Sequence, residues 1–186
     1  MFTFTDALIM AAEAHRDKKD KGGDDYIKHP LYLYHKIRMN GGSNEAQITA
    51  ILHDVIEDSH ITVDNLRCSE CPESIIKALE LLTHKFDNKF YVEAIDNYKS
   101  LGYSTVDAEK KAIEDEYLRY VRRLSTNKLA KAIKIEDLIH NSDSKRLKNR
   151  IIIKEKDIIR IKKYNKALYI LTGKDEINTG ESVDYI

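Results

Sequence analysis

The sequence predicts an all-α fold, on three observations. Apolar residues recur at helical spacing almost throughout. Helix start and stop signals punctuate the chain at intervals, and no pair of alternating runs flanks an Asn-Gly or Asp-Gly turn to mark a β-hairpin. The Ala-rich run from Phe4 to about Lys18 reads as a first helix, ended by the charged, glycine-containing loop Asp17 to Asp25. His29 precedes Pro30, which suits the first position of a second helix reaching about Asn40, closed by Gly41 and Gly42. Ser43 can cap a third helix running through Asp58, and Thr62 a short fourth. Pro72 to Leu82, Phe90 to Ser100, Thr105 to Leu124, Lys128 to Asn141 and Lys154 to Leu171 complete the set.

Composition bounds the class. The chain has 186 residues, 31 Lys and Arg against 31 Asp and Glu, and 42% hydrophobic residues. A single domain over residues 1–172 is expected, followed by a polar, acidic, loosely held tail over 173–186. A domain of this length buries roughly 70% of the surface its unfolded form exposes, so it folds without disulfide or metal, and a metal site in it is functional rather than structural. No run approaches the length of a membrane span, and Met1 to Ala14 lacks a basic leader and is interrupted by Asp6 and Glu13. A cytoplasmic protein with no membrane partner is expected. Cys68 and Cys71 form a lone C-x-x-C without further zinc ligands at suitable spacing or a βαβ context, and read as free thiols.

Charge is uneven despite a net of zero. Between Lys145 and Lys166 stand ten basic and two acidic residues, an excess of eight positive charges that the remainder offsets. Such a segment can bind nucleic acid, face substrate phosphates or be a solvated helix face. Ile158, Ile161, Tyr164, Leu168 and Leu171 recur there at helical spacing, which favours an amphipathic helix packed on the domain, and no nucleic-acid recognition motif accompanies it.

The chemistry concentrates in Ala50 to Ser59, "AILHDVIEDS". On one continuous helix at about 100° per residue, His53, Asp54, Glu57 and Asp58 fall within an arc of roughly 140°, while Leu52, Val55 and Ile56 point the other way. Asp54 repels Glu57 and Asp58 at i,i+3 and i,i+4, at a few tenths of a kcal/mol each. The acids also sit near a helix C-terminus, where the macrodipole disfavours them. Local physics opposes the cluster; a divalent cation reverses the sign, and imidazole with carboxylate suits Mn, Fe, Zn or Ni better than calcium. The competing reading is a solvated acidic face. His29, its backbone restricted by Pro30, and the polar stripe Lys134, Asp137 and Asn141 on an otherwise apolar helix are further candidates.

Taken together, "YIKHP" (26–30), "ILHDVIEDS" (51–59), "LLTH" (81–84) and "IKIEDLIHN" (133–141) resemble the HD superfamily in order and spacing. The likeness is nearest to RelA/SpoT-type hydrolase domains and the small stand-alone alarmone hydrolases. The resemblance spans about residues 11–147. It implies an all-helical HD-domain bundle holding one Mn²⁺, or another divalent transition metal, through His29, His53, Asp54 and Asp137. It also implies Glu57 and Asp58 as the acidic pair acting on water, and Lys21, Tyr26, Lys134 and Asn141 beside a nucleotide. The implied reaction is release of pyrophosphate from the 3′ position of guanosine tetra- or pentaphosphate. Lys18 and Arg146 are further candidates for neutralising the diphosphate.

Two departures accompany it. Asp20 stands where the family usually has an Arg at the base, and an Asp can neither stack on a purine nor offer a guanidinium fork. Glu136 and Leu138 replace an Ala and a basic residue. The competing functions are therefore an HD phosphohydrolase for another nucleotide or phosphorylated dinucleotide, and an inactive metal-binding regulatory module. His15 and His140 read as supporting or packing residues, while His35, His60 and His84 show no partner in sequence. Oligomeric state is not expressed in the sequence.

Overall fold

Ten helices and one isolated antiparallel bridge, Lys19 with Asp25, make up the regular structure of the described residues, 2–20, 22–143 and 155–173, in this computed structural model. The helices are α1 (Phe4–Ala14), α2 (Lys28–Met39), α3 (Asn44–Leu52), α4 (Val55–Asp58), α5 (Val63–Cys68), α6 (Glu73–Leu82), α7 (Asn88–Ser100), α8 (Thr105–Leu124), α9 (Lys128–Ser142) and α10 (Glu155–Thr172). The all-α expectation is met. None of the described helices is long and apolar enough to cross a membrane.

Local chemistry sets most boundaries. Thr3 opens α1 through a reciprocal capping box with Asp6. Ser43, Thr62, Asp87, Ser104 and Asn127 each accept an amide of the helix they precede. The end of α2 is a Schellman turn. Gly41 takes φ +74°, the amide of Gly42 reaches back to the Ile37 carbonyl at 2.8 Å, and a Cβ on Gly42 would sit 2.5 Å from Ile37 Cγ2.

The core centres on α3, packed against α1, α2, α6 and α9. Surrounded on all sides, α3 buries Ala46, Ile48, Thr49, Ala50, Ile51 and Leu52, two-thirds of its length. Small Ala7, Ala11 and Ala14 form the buried stripe of α1. Leu33 and Ile37 of α2, Ile76 and Leu79 of α6, and Ile133 of α9 complete the fully buried set around it. A hairpin of α7 and α8 extends from this body, and α10 lies across α8 and α9.

Four boundaries differ from the sequence reading. The first helix stops at Ala14, because the next residues turn: Asp17 adopts φ +63°, and the Tyr26 amide bonds the Lys18 carbonyl across the loop at 2.9 Å. The second begins at Lys28, so Pro30 is third rather than first, still within the turn whose amides lack helical partners. The seventh starts at Asn88. The expected third helix is two, interrupted at His53 and Asp54, where Asp54 takes φ −104° and ψ 0°. On α10, Ala167, Leu168 and Leu171 are buried, while Ile158 of the predicted apolar stripe is exposed. Cys68 is exposed, Cys71 is buried, and both are free thiols. Lys21, Arg146, Lys154 and residues 174–186 lie outside the described residues.

Candidate active site

The break between α3 and α4 builds the site. In an uninterrupted helix, neighbouring side chains diverge by about 100°. Here the turn at Asp54 brings its Oδ2 to 2.8 Å from His53 Nε2. His29 of α2 and Asp137 of α9 meet the pair: His29 Nε2 lies 3.2 Å from His53 Nε2, 3.8 Å from Asp54 Oδ2 and 3.1 Å from Asp137 Oδ1. His29, His53 and Asp137 are buried. Three separate chain segments thus direct two imidazole nitrogens and two carboxylate oxygens at one point.

Each donor is fixed from behind. His53 Nδ1 faces the Ala50 carbonyl at 2.9 Å, which places its proton there and leaves Nε2 as the lone-pair donor. His29 Nδ1 faces His140 Nδ1 at 2.7 Å, and His140 stacks on Tyr32 with centroids 3.8 Å apart. The Tyr26 hydroxyl donates to Asp54 Oδ2 at 2.5 Å. Asn141 donates to Asp137 Oδ1 at 2.5 Å and Lys134 to Oδ2 at 2.8 Å, so both hold that carboxylate while lining the cavity.

The electrostatics follow. Burial opposes ionising Asp54, but the His53 imidazole against it wins and lowers its pKa. Burial likewise opposes charge on His53, and the Asp54 carboxylate outweighs it, raising its pKa. Asp137 is held well below, and Lys134 well above, their ordinary values by their mutual attraction, against the cost of burial. His29, His53 and Asp137 each offer an atom within 4.8 Å of the others, with Asp54 Oδ2 beside the two imidazoles, and such a set suits a divalent transition cation, which replaces the proton that neutralises the cluster. The residues present fit a divalent cation.

The acidic pair is divided. Glu57 lines the cavity, its Oε2 accepting the His84 amide at 3.2 Å, and burial raises its pKa. Asp58 turns toward α1, 3.8 Å from His15 Nδ1 and 3.9 Å from Lys18 Nζ, and burial followed by the Asp54 charge raises its pKa. Buried His15 is pushed down to about 4 by desolvation, and it stands 4.7 Å from the Tyr26 ring. Tyr26 lines the cavity, with its hydroxyl committed to Asp54 and its ring between His15 and His29.

These groups open into a cavity of about 540 Å³. One end is the 19–26 loop, where Asp20 closes its own turn, its Oδ1 accepting the Gly22 amide at 2.8 Å and the Asp24 amide at 3.0 Å. The far wall is one that sequence reasoning missed. It comprises His84 and Phe86 after α6, Glu116, Tyr117 and Tyr120 of α8, and Arg160, Lys163 and Tyr164 of α10. Burial and the neighbouring Lys134 charge lower the pKa of Lys163, whose ammonium lies 4.1 Å from the Tyr117 ring centroid. The basic excess of the 145–166 segment and the "LLTH" motif ending at His84 were the signals for this wall, and the described part of the segment reaches the cavity. Glu136 and Leu138, the other departures, are buried away from it.

No family model matches the chain. A guanosine-3′,5′-bis(diphosphate) 3′-pyrophosphohydrolase of Aquifex aeolicus (strain VF5) is 33% identical over 101 residues, 54% of this chain and 14% of that protein. A Synechocystis protein named "Probable guanosine-3′,5′-bis(diphosphate) 3′-pyrophosphohydrolase" is 38% identical over 61 residues, 32% of this chain and 8% of that protein. The chain thus matches less than a sixth of the length of either curated relative. A metazoan ortholog of SpoT, described as hydrolysing ppGpp and acting in starvation responses, superposes with a TM-score of 0.58 at 17% identity, covering 89% of this chain and 84% of that one. The chain shares that protein's helical fold, so the expected HD-type bundle is the fold it has.

Proposed function

We propose that the chain is a metal-dependent nucleotide phosphohydrolase that releases pyrophosphate from the 3′ position of guanosine tetra- or pentaphosphate. The observation that carries the reading is the convergence of His29, His53, Asp54 and Asp137 beside Glu57 in a cavity lined by Lys134. The names of the two bacterial relatives and the fold of the SpoT ortholog support it. His29, His53, Asp54 and Asp137 would hold the cation, Mn²⁺ by preference, which supplies Lewis acidity toward phosphoryl oxygens and acidifies water. Glu57, its pKa raised by burial, takes the proton of the attacking water. Asp58, outside the cavity lining and facing Lys18 and His15, supports the site from the α1 side and leaves the water to Glu57. Lys134 and Asn141 keep Asp137 in place and offer polar groups to the nucleotide, while Tyr26 keeps Asp54 in place. Lys21, next to Asp20 in the sequence, would add positive charge for the nucleotide.

One observation favours a second reading, the same chemistry on another nucleotide or a phosphorylated dinucleotide. Asp20 is tied to its own loop amides at the place where the family usually presents an Arg to the base. The test is product release with Mn²⁺ from guanosine alarmones, ordinary nucleotides and phosphorylated dinucleotides. Pyrophosphate from the alarmones alone supports the first reading, and turnover of another compound moves the substrate. No turnover anywhere, with metal bound, leaves a regulatory module.

A further inference from the structure

A second acid–base pair faces the same cavity. His84, between α6 and α7, and Glu116 of α8 lie 32 residues apart, yet His84 Nε2 is 3.1 Å from Oε1 and 3.0 Å from Oε2 of Glu116. Glu116 is 3% exposed and its Oε1 also accepts the Asp87 amide at 3.0 Å, so the carboxylate is fixed. Burying a carboxylate is costly unless it is paired and hydrogen-bonded, and here its charge is met by an imidazole on the cavity wall. With Nε2 turned to Glu116, Nδ1 is the nitrogen left for a ligand. The His84 amide donates to Glu57 at 3.2 Å, which ties this residue's backbone to the proposed base. Tyr120 packs on the ring at 4.5 Å between centroids, and Lys134 and Lys163 line the same cavity from α9 and α10. A carboxylate-held imidazole with its second nitrogen available is the arrangement that gives and takes protons in hydrolytic enzymes.

We propose that His84, oriented by Glu116, is a catalytic residue that gives a proton to the leaving oxygen. This rests on the function proposed above. Water attacks the phosphorus attached to the ribose 3′ oxygen; the new P–O bond forms as the old one breaks, and the bonding pair goes to O3′. The water proton passes to Glu57, and O3′ takes the proton carried by the His84 imidazolium, whose charge faced Glu116. Exchange with solvent then returns a proton to His84 and removes one from Glu57, so water alone is consumed.

The test compares the full-length wild type, His84→Gln and Glu116→Gln, loaded with Mn²⁺, on the tetraphosphate and on an analogue with sulfur at the 3′ bridging position. A thiolate, with a pKa of about 8.5, leaves without help. His84→Gln is expected to lower kcat about a hundredfold or more on the oxygen substrate, with little change in KM. On the sulfur substrate the deficit shrinks to less than about tenfold, with Glu116→Gln following more weakly. Equal deficits on both substrates, or an unchanged kcat, overturn the assignment. His84→Asn repeats the comparison if His84→Gln lacks a cooperative melting transition. A wild type that cleaves nothing sinks the proposed function and this role with it; an active wild type beside an equally active His84→Gln sinks this role alone.

Discussion

The two walls of the cavity are built on different principles. On one side, the ligand nest draws on short motifs: His29 beside Pro30, His53 next to Asp54, and Lys134, Asp137 and Asn141 within two turns of α9. His29, His53 and Asp137 are buried in it, and its side chains are cross-bonded before anything binds. On the other side, His84, Glu116, Tyr117, Lys163 and Tyr164 come from the turn after α6, from α8 and from α10, and no short spacing joins them. Each part of the nest is a short motif that packing then brings together, whereas no motif marks the far wall's members as a set. The first is therefore expected to fail abruptly when one residue is changed, and the second by degrees.

The largest effect falls in the nest. Asp54→Ala is expected to abolish Mn²⁺ binding and hydrolysis together, measured by calorimetry and by pyrophosphate release; a variant retaining either would break the contrast between the walls. Glu57→Gln comes next, with metal binding intact and kcat lowered about a hundredfold or more. Because burial raises the Glu57 pKa, the wild-type rate is lost on acidification at a higher pH than an exposed glutamate would give. A rate–pH profile on the two proteins checks the sign: the acid limb attributable to Glu57 is absent from the variant. Loss of metal in Glu57→Gln would make that acid structural instead.

His140→Ala probes the support behind His29. Removing a group that orients a ligand imidazole typically weakens metal affinity about 10- to 100-fold, and a Mn²⁺ titration reads it directly. An unchanged affinity would mean that Pro30 and packing alone orient His29. On the far wall, Lys163→Ala is expected to raise KM severalfold and leave metal binding unchanged, since the ammonium lines the cavity without touching a ligand. A metal defect there would erase the distinction. These last two variants sharpen the comparison more than they test the chemistry.

How much was legible follows the same division. Most helices and most boundaries were readable because caps and periodicity act within a few residues, as at Ser43, Thr62 and Ser104. The metal-binding candidates were readable because their motifs are local, and the structure does bring His29, His53, Asp54 and Asp137 together. The helical-wheel placement of the acids was not, because it assumed one helix through Asp58. The break at Asp54 sends Glu57 to the cavity and Asp58 toward Lys18. His84 had no visible partner because Glu116 is 32 residues away and on another helix.

By itself, the sequence determined the all-α class, the order of the helices and the candidate residues for holding a cation. Those properties depend on side-chain type and on spacings shorter than one helix. Tertiary structure alone decided which acid faces the cavity, what Asp20 bonds, and that α8 and α10 close the far side with His84, Glu116 and Lys163. Such pairings depend on how whole helices cross, and the crossing is fixed by packing summed over the core rather than by any one motif.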